Sequence, residues 1–356
     1  MKHPSHLVAK ICIVGVIGVS IIAFVSLGRV TQLFNQGKSI NVLVWGQVLD
    51  KEFLSDFEQE TGIHVNMSYF ENNQELFVKL QSTDIHDYDL IMPSDWAVEL
   101  LIQHNLIKKI DHSKVDVWNN LYPTLCNLYY DPANEYSIPY FWSVVGLGVD
   151  TAYWQGQMPP ATWGLIFDQQ IMPQRVGSAE DPRVIILTAA VYLFGHIQKQ
   201  LTSDQMSKIK QLLIQQKRSV EIYTDSRSEY VLASGVVPVI IALSGDLLKI
   251  MKRFNNINFI IPKEGAFALI DSFAITAATK KDDLIYSFLN YIFRPDVVKK
   301  YVDKFDFFPA VQIDVEYDDR FEQITKPTET LFKNINFFKN VVSYQDLNDL
   351  LIALKS

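Results

Sequence analysis

The chain has 356 residues, 48% hydrophobic and 20% charged, which excludes a disordered or low-complexity polypeptide and leaves length for about two domains. Its 32 Lys and Arg stand against 40 Asp and Glu, a formal charge of −8, and an acidic surface argues against nucleic acid as a partner, because phosphate contacts need a basic face. The cysteines are Cys12 and Cys126 alone, so the fold is expected to hold by its core without an intrachain disulfide.

The chain opens with Lys2 and Lys10 and no acid, followed by an uncharged apolar run from Ile11 to Leu27. This is the layout of a secretory signal, a charged n-region and then an apolar h-region. Residues 1–28 are read as a signal peptide or a signal anchor. Cleavage near Ser26 and Gly28 gives a soluble periplasmic protein, and an uncleaved segment leaves the domain tethered outside the inner membrane. Cys12 follows Lys10-Ile11, a poor context for lipid attachment.

The folded part begins near Ile40. Ile40–Trp45 reads as a buried strand, and Lys51–Thr61 as an amphipathic helix with Phe53, Leu54 and Phe57 on one face and Gly62 at its end. Ile63–Phe70 is the next strand, Asn72-x-x-Glu75 starts a helix running to about Ser82, and Tyr88–Met92 is a short strand. Pro93-Ser94-Asp95 opens another helix, with Ser94 at the N-cap. Tyr136–Trp142 is extended and Ser143–Val149 strand-like. A second α/β stretch runs from Thr151, through Val184–Phe194, Ser203–Gln215, Val236–Leu243 and Phe259–Ile261. After Asp271–Ile275 the pattern turns helical, with Asp282–Arg294, Asp296–Phe305 and a final Asp346–Leu354. Strands alternating with helices predict an α/β fold with a largely parallel sheet.

No Gly-x-Ser-x-Gly, His-Glu-x-x-His, phosphate-binding loop or Cys-x-x-Cys is present, so no enzyme and no cofactor is predicted. Gly146-Leu-Gly148 reads as tight packing within a strand. The seven histidines lack ligand spacing. The acidic run Asp314, Glu316, Asp318, Asp319 reads as a solvated loop, since it lacks the glycine and closing glutamate of a calcium loop. What remains is a binding pattern. Trp45 ends one strand, and Pro93-Ser94-Asp95-Trp96 joins another strand to a helix. Open α/β sheets bind ligands at such carboxyl ends. Two aromatics there can line an alkyl chain and face an ammonium group, the alternative for each being core packing.

Seven segments are characteristic: Phe57-Glu-Gln-Glu-Thr-Gly-Ile-His-Val65, Tyr88-Asp-Leu-Ile-Met-Pro-Ser94, Leu106-Ile-Lys-Lys-Ile-Asp111, Asp131-Pro-Ala-Asn-Glu-Tyr-Ser-Ile-Pro-Tyr140, Pro262-Lys-Glu-Gly265, Asp271-Ser-Phe-Ala-Ile275 and Phe293-Arg-Pro-Asp296. In order and spacing, from Ile40 to Pro309, the chain resembles the bacterial spermidine/putrescine-binding proteins, the receptors of polyamine ABC importers. The resemblance implies a two-lobed periplasmic binding protein fold of type II, with the ligand cleft between the lobes. Lobe one would comprise residues 40–148 and 272–356, and lobe two residues 149–271. Crossings at Ser143–Val149 and Ala266–Ile275 would carry a hinge closure.

The resemblance also implies a small cationic ligand, a polyamine, and permease and ATPase subunits as membrane partners of a monomer. It places ligand contacts at Trp45, Ser94, Trp96, Asp181, Asp271 and Phe308. For Asp271 the alternative is a helix cap or a hinge ion pair. Several lining positions depart from the family. Leu269 and Leu243 stand where aromatics are usual, Val184 or Ile185 where a second acid is usual, and Phe308 where tyrosine is usual. These departures point to a shorter or more apolar amine, or to another small organic solute. A membrane-tethered ligand sensor is the alternative to transport.

Overall fold

The computed structural model describes residues 38–355 except 47, 83–86, 198–199, 226 and 318. The signal or anchor expected at residues 1–28, with Cys12, lies outside the described residues, as does Asp318 of the acidic run. Among the described residues, no helix is long and apolar enough to cross a membrane.

The first elements follow the sequence closely. β1 (Ser39–Trp45) leads to α1 (Lys51–Thr61), whose N-cap Asp50 accepts from the Glu52 backbone N–H at 2.7 Å. Gly62 ends this helix at φ 68°, in the left-handed region that a side chain disfavours. β2 (His64–Phe70) pairs in parallel with β1, from Ser39↔His64 to Trp45↔Phe70, so the two strands finish at one edge. After α2 (Asn73–Ser82), β3 (Leu90–Ile91) pairs with the other side of β1, also in parallel. This strand is shorter than Tyr88–Met92, and beside it the Asp89 side chain also bonds to β1. Its carboxylate accepts from the Asn41 N–H at 2.7 Å, Thr279 Oγ1 at 2.6 Å and Lys281 Nζ at 2.9 Å. α3 (Asp95–Gln103) follows.

Two long strands run through the middle. β4 (Ser137–Asp150) is buried along nearly its whole length, hence its apolar sequence. It pairs antiparallel with β9 (Ala266–Ile275) from Ser137↔Ala274 to Val145↔Phe267. β9 also pairs with β3. Beyond Val145, β4 pairs instead with β7 (Val239–Leu243) and β8 (Ile257–Ile260). β5 (Val176–Ser178) lies between β7 and β6 (Val220–Tyr223), all three parallel. The strand order is β2-β1-β3-β9-β4-β7-β5-β6. The two extended segments predicted at 136–142 and 143–149 are thus one strand. Gly146 and Gly148 are packing glycines, as expected: a Cβ on Gly146 would lie 2.6 Å from the Ile260 carbonyl oxygen.

Helices α4 (Pro182–Phe194), α5 (Ser203–Gln216), α6 (Ser228–Ala233) and α7 (Ser244–Met251) accompany the second strand group. α8 (Asp282–Ile292) and α9 (Pro295–Phe305) return to the first, where Phe288 meets Phe57 edge-on at 5.3 Å. Short strands β10 (Phe308–Pro309) and β11 (Ile335–Phe337) add to β4 and β9. The final helix, α10 (Tyr344–Lys355), packs on α4 and α5, with Leu347, Leu350 and Leu354 in their apolar cluster. The helix falls within residues 272–356, the range expected for the first lobe, yet its contacts are with helices of the second strand group. A leucine-lined helix follows whichever apolar groove it reaches, and its sequence does not say which.

The Asp131–Tyr140 segment is built around one carboxylate. Asp131 Oδ1 accepts from the Glu135 N–H, and Oδ2 accepts from the N–H groups of Tyr136 and Ser137 and from Ser137 Oγ, all at 2.9 Å. The turn so fixed aims the chain into β4.

Candidate functional site

The carboxyl ends of β1 and β3 bring Trp45 and Ser94 to Asp271 in the middle of β9. Ser94 occupies the N-cap position of α3, with φ −77° and ψ 162°, but makes no side-chain cap bond. Its hydroxyl instead donates to Asp271 Oδ1 at 2.8 Å and accepts from Asn73 Nδ2 at 3.2 Å. The backbone supports this contact: Ser94 and Asp271 form an isolated antiparallel bridge, and the Ser272 N–H donates to the Pro93 carbonyl at 3.0 Å. Trp45 packs on Phe70 with ring centroids 4.4 Å apart, and its indole N–H is buried without a hydrogen-bond partner. It nevertheless lies near enough to favour the Asp271 carboxylate electrostatically. Among the described residues, no Lys or Arg forms an ion pair with Asp271. A partly desolvated carboxylate without a paired cation is unfavourable in its charged form.

Strand alternation decides which aromatics share this face. Asp271 pairs with Phe141, and Ile270 with Trp142. Across β10, Phe308 pairs with Trp142 and Pro309 with Phe141. Paired residues share a face and successive residues alternate, so Phe308 points away from Asp271. Its ring packs instead 5.6 Å from Trp142 and 5.3 Å from Tyr317. Phe308 is therefore not part of the Asp271 group. Phe307, one residue earlier, takes that side, with its ring 4.7 Å from Phe141. The same alternation puts Leu269 and Ser143 on the Asp271 face.

The parallel strands of the second group end at a facing edge. After β5, Asp181 caps α4 by accepting from the Arg183 N–H at 2.8 Å. After β6, Asp225 accepts from the N–H groups of Glu180 at 2.8 Å and Asp181 at 2.7 Å. Desolvation by the surrounding chain raises the pKa of both acids, and the Asp181 charge further raises that of Asp225. Asp181 is thus at the expected edge, and Asp225 supplies an acid that sequence reasoning missed.

Arg183 was missed as well. Its guanidinium lies 3.9 Å over the ring of Trp96. Its Nη1 donates to Asn340 Oδ1 at 2.5 Å, while Asn340 Nδ2 reaches the Trp96 carbonyl at 3.3 Å and Glu99 Oε2 at 2.5 Å. Trp96 and Arg183 are only 5% and 6% exposed. The aromatic face expected to meet a ligand is therefore covered by the chain's own cation. An arginine two residues after the capping aspartate is visible in sequence, but its partner 87 positions earlier is not. A surface cavity lined by Asp150, Tyr153, Arg175 and Pro238 lies at the amino ends of β5 and β7, the edge opposite to this site.

Burial pushes Asp271 up to about 7, against the Ser94 hydrogen bond, and pushes Glu229 on α6 up to about 7, with the Asp246 charge adding to the effect. In an unfolded chain both ionise near pH 4. The ligand-free fold holds these protons where the unfolded chain releases them. Their stabilising contribution is thus complete below about pH 4 and is lost as pH rises through about 7. The melting temperature of the ligand-free protein is expected to fall between about pH 5 and pH 8. A scan that stays level or rises over that interval would show that these carboxyls are not desolvated.

The profile of the family described as bacterial extracellular solute-binding protein matches residues 52–316. The putrescine-binding periplasmic protein PotF of Escherichia coli is 30% identical over 277 residues, covering 73% of this chain and 75% of that protein. The putrescine-binding periplasmic protein SpuD of Pseudomonas aeruginosa is 27% identical over 285 residues, covering 76% and 77%. Among solved structures, a putative spermidine/putrescine ABC transporter from Listeria monocytogenes superposes with a TM-score of 0.79 at 21% identity, covering 89% of this chain and 99% of that one. The TpPotD lipoprotein of Treponema pallidum gives a TM-score of 0.76 at 21% identity, covering 89% and 99%. These superpositions show a shared two-lobed fold.

Proposed function

This chain belongs to the bacterial extracellular solute-binding proteins, and from that premise we propose that it captures a small polyamine, such as putrescine or spermidine, for an ABC importer. Its partners in this reading are the permease and ATPase subunits of that importer. It acts as a monomer outside the cytoplasm, exported by residues 1–28 or anchored through them. The observation that carries the ligand class is Asp271, a half-buried carboxylate hydrogen-bonded by Ser94, close to Trp45 and, among the described residues, without a Lys or Arg ion-pair partner. An alkylammonium group supplies the missing charge, and its methylenes suit the neighbouring aromatic faces. The names of the relatives, putrescine-binding and spermidine/putrescine-binding, support the same class.

The cleft lies between a first lobe of residues 40–148 with the return from 272, and a second lobe of 149–271 that carries α10. β4 and β9 cross between them, so closure is a hinge motion about these strands. The family is one of solute-binding transport receptors, not of enzymes.

Thermal unfolding of the purified protein with putrescine, cadaverine, spermidine, spermine, amino acids and sugars tests the reading. A ligand at 100 times its Kd adds about 2.7 kcal/mol to stability. A clear upward shift with at least one polyamine and none with sugars is expected. A protein indifferent to every polyamine would overturn the proposal.

A further inference from the structure

The first turn of α7 abuts the Asp271 face. A Cβ on Gly245 would lie 3.1 Å from Ser143 Oγ and 4.0 Å from Phe307 Cδ1, and both neighbours belong to that face. One turn further on, Lys249 places its ammonium 3.1 Å from Asp246 Oδ1 and 5.4 Å over the Phe307 ring. Phe307 in turn touches Phe141, the strand partner of Asp271. On α6, Glu229 is 4% exposed and its Oε2 has no hydrogen-bond partner. The Asp246 charge acts on it directly. A carboxylate, an aromatic face and a second, unpartnered carboxyl are the groups that hold the ammonium of an amine. Here Asp246 and the Phe307 ring already hold one, the Lys249 ammonium of the chain itself.

We propose that Lys249 is a resident ammonium in the outermost cation position of the cleft and that it sets specificity, favouring a short diamine over a triamine. This inference rests on the polyamine reading above. Asp271 and the Asp181–Asp225 pair offer two positions for ligand ammonium groups. The third acidic position, Asp246 with Glu229, is answered by Lys249. A longer amine that extends from Asp271 past Phe141 and Phe307 brings its extra ammonium against this charge. Arg183 blocks the Trp96 side in the same way.

The test compares Kd values for putrescine and spermidine by calorimetry on wild-type protein, Lys249→Met and Lys249→Arg. Methionine keeps the apolar stem and removes the charge, whereas arginine keeps the charge. The wild type is expected to prefer putrescine. Lys249→Met should shift the spermidine-to-putrescine affinity ratio about tenfold or more toward spermidine, and Lys249→Arg should retain the wild-type ratio. The two lysine variants shifting equally, or Lys249→Met leaving the ratio unchanged, would overturn the inference while amine binding itself stands. Absence of amine binding in all three proteins would instead overturn the polyamine reading, and this inference with it.

Discussion

Replacing Asp271 with asparagine should abolish polyamine binding and, at the same time, raise the melting temperature of the ligand-free protein. The two effects share one cause. Asp271 is half-buried, with Ser94 as its hydrogen-bond donor and, among the described residues, no Lys or Arg paired to it. Its charge is unfavourable in the empty protein and becomes favourable only when an ammonium enters. Asparagine can still accept from Ser94 Oγ, so the local frame survives, but it offers an ammonium no charge. Breaking a buried ion pair by removing one partner costs about 3–5 kcal/mol, which corresponds to a loss of affinity of at least about a hundredfold. In the wild type, affinity should also strengthen as pH rises toward about 7, where the Asp271 carboxyl releases its proton. Calorimetry at pH 8 on both proteins, with a melting curve of each without ligand, checks the whole set. Wild-type affinity in the variant would remove Asp271 from the site. A lower melting temperature for the empty variant would show that the carboxylate is stabilised rather than penalised by its surroundings.

The second large effect is on folding. Asp131→Ala should destabilise the protein by about 3–5 kcal/mol, because one substitution strands four donors that a single carboxylate now satisfies. Ser137 is fully buried, so water cannot replace the lost acceptor there. Asp131→Asn is expected to recover little. Whichever way the amide is turned, its NH2 faces backbone N–H groups that need an acceptor. Urea unfolding of the three proteins measures the difference. A midpoint for Asp131→Ala within experimental error of wild type would show that the turn into β4 forms without this carboxylate. The effect is independent of ligand, which separates it from the Asp271 result.

Much of this architecture is legible locally. Lys51–Thr61 announces itself by its apolar spacing and by Gly62, and the structure has the helix at those residues. Ala266–Ile275, expected as a crossing from the family resemblance, coincides with β9. Asp271, Ser94 and Trp45 are brought together because two strand ends and one crossing strand are set side by side by pairing. What the sequence did not show is equally physical. Phe308 and Phe307 differ by one position, and in an extended chain one position exchanges the two faces of the sheet. No composition or spacing rule sets that register. It comes from the pairing of Phe308 with Trp142.

By itself the sequence determined the α/β pattern and the strand ends that carry Trp45 and Ser94, because these depend on residues close in the chain and on the 3.6- and 2-residue periods, while Asp271 is singled out through the family resemblance. Only the tertiary structure decided that Ser94 leaves its helix cap for Asp271, that Arg183 covers Trp96, that Phe307 rather than Phe308 shares the face of Asp271, and that the last helix packs on α4 and α5. Each of these depends on which distant surfaces meet. Hydrogen bonds, ring contacts and ion pairs act over a few ångströms in space, whatever the separation along the chain.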